Sequence, residues 1–214
     1  MKLSSYLTVN KKGNNEINIQ KSRFIGYVKR VQSEEEAQVF IQSIRKKHFD
    51  ATHNCFAYMI GENDQIQKAN DDGEPSGTAG IPILEVLKRQ KLKNTAVVIT
   101  RYFGGVKLGA GGLIRAYSRA TVEAIKATGV VKRQLMQTFK VTVDYTLIGR
   151  LENEIHQSNY ILSHTDYLEN VSFHILVPID DGQPFKKWII NLTNDKATIE
   201  KLDQTYVETE IKGS

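Results

Sequence analysis

The sequence predicts an α+β protein with two domains, and three observations lead to this prediction. In the C-terminal part, strand and helix patterns follow the order βαββαβ over about 75 residues, which is the ferredoxin-like arrangement. Charge divides the chain, since residues 1–130 carry 20 Lys and Arg against 12 Asp and Glu, whereas residues 131–214 carry 9 against 12. Glycine is also uneven, with 8 of the 15 glycines between Gly73 and Gly112. We therefore predict one domain over residues 1–133 and a second over residues 134–214.

The elements of the first domain follow from local patterns. Apolar runs predict strands at residues 3–9, 16–19 and 22–31, with a turn over residues 10–15. Ser33 and Glu36 have the spacing of a capping box and predict a helix with an apolar face from Ala37 to Ile44. We then expect, in order, a strand at 52–60, a polar loop at 61–77, a helix from about residue 78 to 88, a strand at 95–100 and a helix from the glycine-rich turn to Gly129. The run TAVVIT at 95–100 is β-branched and continuous, which predicts a fully buried strand.

The second domain begins after a segment, residues 129–138, that follows neither the helix period nor the strand period. Its predicted elements are a strand at 139–145, a helix at 147–158, strands at 160–167 and 171–177, a helix at 184–193 and a strand at 204–211. This domain is slightly acidic, so we do not expect it to bind nucleic acid on its own.

Composition excludes several classes of protein. The single cysteine, Cys55, cannot form an intramolecular disulfide, and the chain has no CxxC pair for zinc or an iron–sulfur cluster. The N-terminal residues lack the apolar segment of a signal peptide, and no apolar run approaches the roughly 18 residues of a membrane span. We therefore predict a cytoplasmic protein without membrane contact, and we predict no cofactor.

The stretch RYFGGVKLGAGGLIRAYSRA, residues 101–120, is the main candidate binding site. Glycines allow close backbone approach, a helix start favours an anion, and two arginines one turn apart can bind phosphate oxygens. The spacing matches neither GxxxxGK[ST] nor GxGxxG, so it does not specify a nucleotide. The alternative is that the glycines serve a tight turn and close helix packing. The predicted anion or RNA ligands are Arg101, Gly104, Gly105, Lys107, Gly109, Gly111, Gly112, Arg115 and Arg119.

A second candidate is the acidic loop NDDGEPSGTAG, residues 70–80. Asp71, Asp72 and Glu74 have the oxygen ligands that Mg²⁺ prefers. Local sequence favours a turn instead, with Ser76 or Thr78 capping the next helix, so we predict no metal site. An exposed loop on a rigid scaffold is nevertheless a frequent place for recognition.

The third candidate is the strand THNCFAYMI, residues 52–60, which places His53 and Cys55 on one face. They would make a nucleophile and a base, but the sequence identifies no third orienting group and no oxyanion hole. A buried thiol beside a hydrogen-bonded histidine is the commoner arrangement. The other histidines, which show no metal-ligand spacing, are His48, His156, His164 and His174.

These three clusters together resemble the signature of the IMPACT family, and the two-domain length resembles its bacterial YigZ-like branch. The resemblance covers about residues 17–128 and rests on THNCFAY (52–58), DDGEPSGTAG (71–80) and TRYFGGVKLGAGGLIRAYSRA (100–120). It implies that the first domain is similar to the second domain of ribosomal protein S5, a fold shared with RNase PH and the GHMP kinases. It also implies a C-terminal domain similar to the ferredoxin-like last domain of the elongation factor that drives translocation.

The resemblance also bears on function. Eukaryotic IMPACT proteins regulate translation by competing for the activator of an amino-acid-starvation kinase, and they do so through an additional N-terminal domain, so that mechanism is not carried over. What the resemblance implies is a functional surface without a known catalytic role. Its residues here are His53, Asp71, Asp72, Glu74, Ser76, Arg101, Lys107, Arg115 and Arg119.

Three hypotheses follow. The first is a non-enzymatic protein of translation or its regulation that binds RNA or the ribosome through the first domain, with a protein partner on the second. The second is a hydrolase or phosphotransferase that handles a phosphate, in which Asp71, Asp72 or Glu74 converge with Arg115 in a deep pocket. The third is a protein-interaction factor that makes no contact with nucleic acid. We favour the first.

Overall fold

The computed structural model describes residues 2–211 and divides the chain into two compact units. The first unit is formed by residues 6–132, and residues 209–211 group with it. The second is formed by residues 133–208 together with residues 2–5. Both units combine strands and helices, so the protein is an α+β protein of two domains.

The first unit is built on a mixed set of strands and helices. They are β1 (Ser5–Val9), β2 (Lys12–Ile19), β3 (Ser22–Arg30), α1 (Glu34–Lys47), β4 (His53–Ile60), β5 (Ile66–Asn70), α2 (Gly80–Arg89), β6 (Thr95–Tyr102) and α3 (Gly109–Thr128). One sheet has the order β2-β3-β6-β4-β5, and each neighbouring pair is antiparallel.

Both faces of this sheet are covered, which explains its apolar central strands. On β6, Val97 and Ile99 contribute to one core with α2 and α3, whereas Ala96 and Val98 contribute to the other core with α1. The prediction of a fully buried strand at 95–100 is therefore confirmed. On β4, Cys55, Ala57 and Met59 lie on one face, as predicted, and the structure packs that face with α2 and α3.

The second unit has the ferredoxin-like order of elements that the sequence predicts. Its elements are β7 (Val130–Val143), α4 (Ile148–Gln157), β8 (Ile161–Tyr167), β9 (Val171–Pro178), α5 (Gly182–Thr193) and β10 (Thr198–Ile211), and its strands are arranged as β10-β7-β9-β8. Both helices pack on one face of the sheet, where Leu151 and Phe185 meet Val141 and Phe173 of the strands.

Two predictions about elements were wrong, and a third had the wrong bounds. The polar loop at 61–77 contains the strand β5, which lies at a sheet edge and is mostly exposed, so it lacks an apolar pattern. The predicted turn at 10–15 is largely part of β2, whose alternate residues are exposed. The strand predicted at 139–145 is β7, which begins earlier, at Val130, and ends at Val143.

None of the helices within residues 2–211 has both the length and the apolar composition that a membrane span requires.

Candidate functional site

The candidate site lies at one end of the sheet in the first unit, where His53 and Arg101 are neighbours. His53 begins β4 and pairs in register with Arg101 near the end of β6. Paired residues of antiparallel strands project from the same face. That face is the one covered by α2 and α3, so both side chains are held beneath the loop that precedes α2 and beside the start of α3.

Glu74 is the buried acid of this site. Its Oε1 accepts a hydrogen bond from Arg101 Nη1 at 2.6 Å and another from the Tyr117 hydroxyl at 2.7 Å. The carboxylate and the guanidinium are both almost fully buried, and two donors satisfy the same oxygen. A buried charge is tolerated when it is paired and hydrogen-bonded in this way. Arg101 and Glu74 therefore neutralise each other.

Arg101 also lies over two aromatic rings. Its guanidinium carbon lies 5.5 Å from the centroid of the Phe24 ring and 5.6 Å from that of Phe103. Its Nε is buried and has no hydrogen-bond partner among the described residues. With 5% of its surface exposed, Arg101 acts within the protein by holding Glu74 and Phe103 in place.

Asp71 shapes the acidic loop and does not face the cleft beside it. Its carboxylate accepts hydrogen bonds from the backbone N–H groups of Gly77 at 2.9 Å, Ala79 at 3.0 Å and Gly80 at 2.8 Å. Burial alone would raise the pKa of Asp71, but these three bonds hold that pKa below its ordinary value. Asp71 thus caps α2 from nine residues upstream.

The prediction that Ser76 or Thr78 caps α2 is therefore wrong. The N-cap position is Ala79, which has no capping side chain, and the Thr78 hydroxyl donates to the Pro75 carbonyl instead. Ser76 lies exposed on the loop.

Asp72 is also used inside the protein. Its carboxylate accepts from Arg45 Nη2 at 2.5 Å and from the Asn54 backbone N–H at 2.6 Å. Asp71 and Asp72 are thus both hydrogen-bonded inside the protein. Of the three acids, Glu74 is the one whose side chain lines the cleft. The arrangement does not bring the three acids together around one position.

Cys55 is buried below the site. Its thiol donates to the Asp71 carbonyl at 2.9 Å and lies 3.3 Å from the Tyr117 hydroxyl. Burial raises the pKa of the Cys55 thiol, and burial also raises the pKa of the Tyr117 phenol. The prediction that Cys55 is a buried thiol is confirmed. A thiol that stays protonated is a poor nucleophile.

His53 is held in one tautomer. Its Nδ1 lies 2.8 Å from the Asp72 carbonyl oxygen, and a carbonyl only accepts, so Nδ1 carries the proton. In neutral His53, Nε2 is then an acceptor, and it lies 3.8 Å from Glu74 Oε2 at the wall of the cleft. That separation is too long for a direct hydrogen bond.

The glycine-rich loop meets the start of α3 on the other side of the cleft. A Cβ at Gly104 would lie 1.9 Å from the Lys21 carbonyl oxygen, so this glycine is needed for close packing of the loop on the turn between β2 and β3. Gly109 begins α3 with φ of +68°, a conformation that side chains disfavour. Gly105 also has a positive φ, of +85°, so the explanation by turn and packing applies to Gly104, Gly105 and Gly109.

Gly111 has no such packing requirement, whereas a Cβ at Gly112 would lie only 3.0 Å from the Leu108 Cβ. A Cβ at Gly111 would meet only Arg115 Nη1, at 3.7 Å, and Gly105 is exposed with open space around it. No side chain caps α3, and its first turn carries no acidic residue. The unpaired N–H groups of the first turn are thus available to an anion.

The predicted basic ligands lie in different surroundings. Lys107 lines the cleft, and the guanidinium of Arg115 reaches back over Gly111 in the first turn of α3. Arg119 instead lines a separate groove between α2 and α3, together with Arg89. Neither Lys107 nor Arg115 forms an ion pair within residues 2–211.

Sequence reasoning missed two aromatic residues of the site. The ring of Phe103 lines the cleft and is 48% exposed, although the strand pattern gave no reason to single it out. Tyr117 lies on the buried face of α3, where periodicity predicts only a core residue. The cleft that Phe103 lines has a volume of about 310 Å³, and Tyr117 lies buried behind it, where its hydroxyl donates to Glu74. Its walls combine an exposed ring, a buried carboxylate and the positive end of a helix.

This arrangement defines a class: a two-domain α+β protein whose first domain carries an open cleft lined by His53, Glu74, Arg101 and Lys107. The family model for the Impact N-terminal domain matches residues 20–125, and that for a domain of unknown function, DUF1949, matches residues 141–196. IMPACT family member YvyE of Bacillus subtilis is 54% identical over 206 residues, which cover 96% of this chain and 95% of the relative. The chain therefore belongs to the IMPACT family, as the three motifs predicted.

Two further comparisons agree. IMPACT family member YigZ of Escherichia coli is 32% identical over 162 residues, which cover 75% of this chain and 79% of that protein. A crystal structure described as that of a hypothetical protein is similar with a TM-score of 0.60 and 27% identity, over 94% of this chain and 98% of that one. The similarity thus extends through both domains.

Proposed function

We propose that the first unit binds single-stranded RNA, with a phosphate at the start of α3 and a base against Phe103. The observation that carries the proposal is the uncapped start of α3 in a cleft beside unpaired basic side chains. RNA binding would act in the cytoplasm, in translation or its regulation. The second unit would supply a protein contact, consistent with its net negative charge.

Electrostatics support the phosphate subsite. Inside the cleft, the charges of Arg101 and Glu74 cancel, so the positive potential comes from Lys107 and the N–H groups of Gly109 and Ala110. Arg115 adds its charge from outside the lining, beside Gly111 in the first turn of α3. A helix start binds phosphate through such N–H groups, and a nearby guanidinium adds charge-assisted hydrogen bonds. The missing side chain at Gly111 lets an oxyanion approach the backbone on the side where Arg115 Nη1 lies.

Phe103 favours RNA over a free anion. Proteins that bind single strands combine a basic surface with aromatic rings on which bases stack, and each stack contributes about 1–3 kcal/mol. Arg101 lies against the Phe103 ring and keeps it beside the cleft. A simple phosphate would make no use of this exposed ring.

Fluorescence anisotropy with a labelled single-stranded RNA of mixed sequence tests the proposal. Because phosphate contacts release counterions, the logarithm of affinity should fall with the logarithm of salt concentration, with a slope of about −0.7 for each contact. We expect Lys107→Ala and Arg115→Ala each to weaken binding about fivefold, the effect of losing about 1 kcal/mol.

Arg119→Ala is the matched control, since Arg119 is an exposed arginine one turn further along the same helix. It lies in a different groove, so its replacement should leave affinity within twofold of wild type. Binding that is insensitive to salt, or an equal loss in the two arginine variants, would contradict the proposed subsite.

A second candidate function is hydrolysis of a phosphate ester, favoured by the tautomer of His53. Because Nδ1 donates to the Asp72 carbonyl, Nε2 is free to take a proton from a water molecule in the cleft. Glu74 lies beside it and would stabilise the imidazolium that forms. The phosphate subsite would be the same as in the first proposal.

His53→Ala separates the two functions. If the protein only binds, this variant retains RNA affinity, and wild-type protein leaves the RNA intact over hours. If it hydrolyses RNA or nucleotides, wild-type protein releases products that chromatography detects, and His53→Ala abolishes that release while binding persists.

A further inference from the structure

The second unit carries a cluster of three side chains that no part of the RNA proposal uses. His164 and Asp166 lie on β8, and His174 lies on β9. One donor atom from each side chain lies within 4.8 Å of the other two. Asp166 Oδ2 is 2.9 Å from His174 Nε2, and the centroids of the two imidazole rings are 3.9 Å apart.

A β-bulge brings these residues together. Leu162 pairs with Ile175, which points into the core beneath α4 and α5, and the register then shifts so that His164 pairs with His174. In an uninterrupted strand, residues 162 and 164 would share the core face. The extra residue, Ser163, turns His164 to the opposite face. Asp166, two residues further on, lies on that same face.

The donor set is characteristic of a transition-metal site. Two imidazole nitrogens and one carboxylate oxygen bind Zn²⁺ in many proteins and leave a fourth position for water. With bonds of about 2.1 Å, tetrahedral ligands lie about 3.4 Å apart, so small side-chain rotations would bring the three donors to that spacing. His164 and Asp166 are exposed, which gives them the freedom to rotate.

We propose that His164, Asp166 and His174 bind one divalent ion of the first transition row, for which Zn²⁺ is the probe. The ion replaces the hydrogen bond between Asp166 and His174 and joins β8 to β9. Its charge is opposed by Lys140, which pairs in register with His174 on β7 and so projects from the same face. This opposing lysine gives the proposal a second, independent consequence.

Isothermal titration calorimetry of the full-length, tag-free protein with Zn²⁺ tests the proposal. We expect one ion per chain at this site, at least tenfold weaker binding in His164→Ala and in Asp166→Asn, and tighter binding in Lys140→Gln. The matched control is His156→Ala, an exposed histidine on α4, which should leave the affinity unchanged. Titration with Co²⁺ should give visible absorption bands that are lost in His164→Ala.

The replaced side chains at 164 and 166 are exposed, so both variants should fold, which circular dichroism checks. Absence of Zn²⁺ binding by the wild-type protein would overturn the proposal. Binding of equal affinity in wild type, His164→Ala and Asp166→Asn would also overturn it, because the ion would then lie elsewhere. These outcomes are independent of RNA binding, which involves only the first unit.

Discussion

Asp71→Ala should destabilise the first unit by about 3 kcal/mol. The substitution removes one carboxylate and leaves the N–H groups of Gly77, Ala79 and Gly80 without their acceptor. A hydrogen bond to a charged group makes a net contribution of about 1.5–3 kcal/mol to stability, and loss of a helix cap costs about 0.5–2 kcal/mol. The three bonds share one group and are not additive, so we expect about 3 kcal/mol and not their sum.

Hydrogen exchange of these three amides measures the effect locally. Since about 1.4 kcal/mol corresponds to a factor of ten, exchange through opening of this loop should accelerate about 100-fold in Asp71→Ala. The control is Glu85→Gln, which alters an exposed carboxylate on α2 and should change stability by less than about 0.5 kcal/mol. Equal exchange rates in the two variants would refute the capping role of Asp71.

The stability that the Asp71 carboxylate contributes should depend on pH. The pKa of Asp71 is lower in the folded protein than its ordinary value, because three backbone N–H groups outweigh the effect of burial. Its stabilisation is thus fully present above the unfolded pKa of about 3.9 and is lost as pH falls through the folded pKa. Urea unfolding should therefore show a large difference between wild type and Asp71→Ala at pH 7 and a smaller one at acidic pH. A constant difference would contradict this explanation.

Three further predictions concern packing and charge. Gly104→Ala should cost about 2–3 kcal/mol, because its Cβ would overlap the Lys21 carbonyl, and a lower melting temperature would show it. Glu74→Gln should cost about 3 kcal/mol in urea unfolding, since Arg101 is left buried without its counter-charge. Cys55 should not react with iodoacetamide in the native protein and should react fully in urea, because it is buried and its pKa is raised.

The matched control for Gly104→Ala is Gly111→Ala on helix α3, where a Cβ would lie 3.7 Å from Arg115 Nη1, an ordinary van der Waals distance. It should raise stability by up to about 1 kcal/mol through helix propensity while narrowing the proposed phosphate subsite. Equal melting temperatures for the two variants would contradict the packing argument. For Glu74, an unfolding free energy unchanged by the substitution would show that the ion pair contributes nothing net. Rapid labelling of native Cys55 would show that the core opens at this position.

Sequence patterns predicted the strands and helices in which burial of each face is constant along the element. The alternation at 53–59 and the continuous run at 95–100 report directly on which faces are buried, and both agree with the structure. β5 carries no such signal because an exposed edge strand has no apolar face to bury. β7 extends through a segment of mixed burial, which obscured its period.

The site depends on contacts between distant residues, which a local pattern does not contain. Asp71 caps a helix nine residues away, so the usual capping positions, Ser76 and Thr78, were misleading. His164 and His174 become neighbours only through a bulge and a cross-strand pair. By contrast, the motif residues His53, Glu74, Arg101 and Lys107 were all named from sequence, and the structure places them around one cleft.

The most direct test of RNA binding at the start of α3 is an NMR titration of the full-length protein with a short single-stranded RNA. We predict saturable shifts of the backbone amide signals of Gly109, Ala110 and Gly111, together with shifts of the Phe103 ring protons. These shifts should weaken in Arg115→Ala and persist in Arg119→Ala. Unchanged signals at the three amides, or shifts confined to the groove that contains Arg119, would contradict the account.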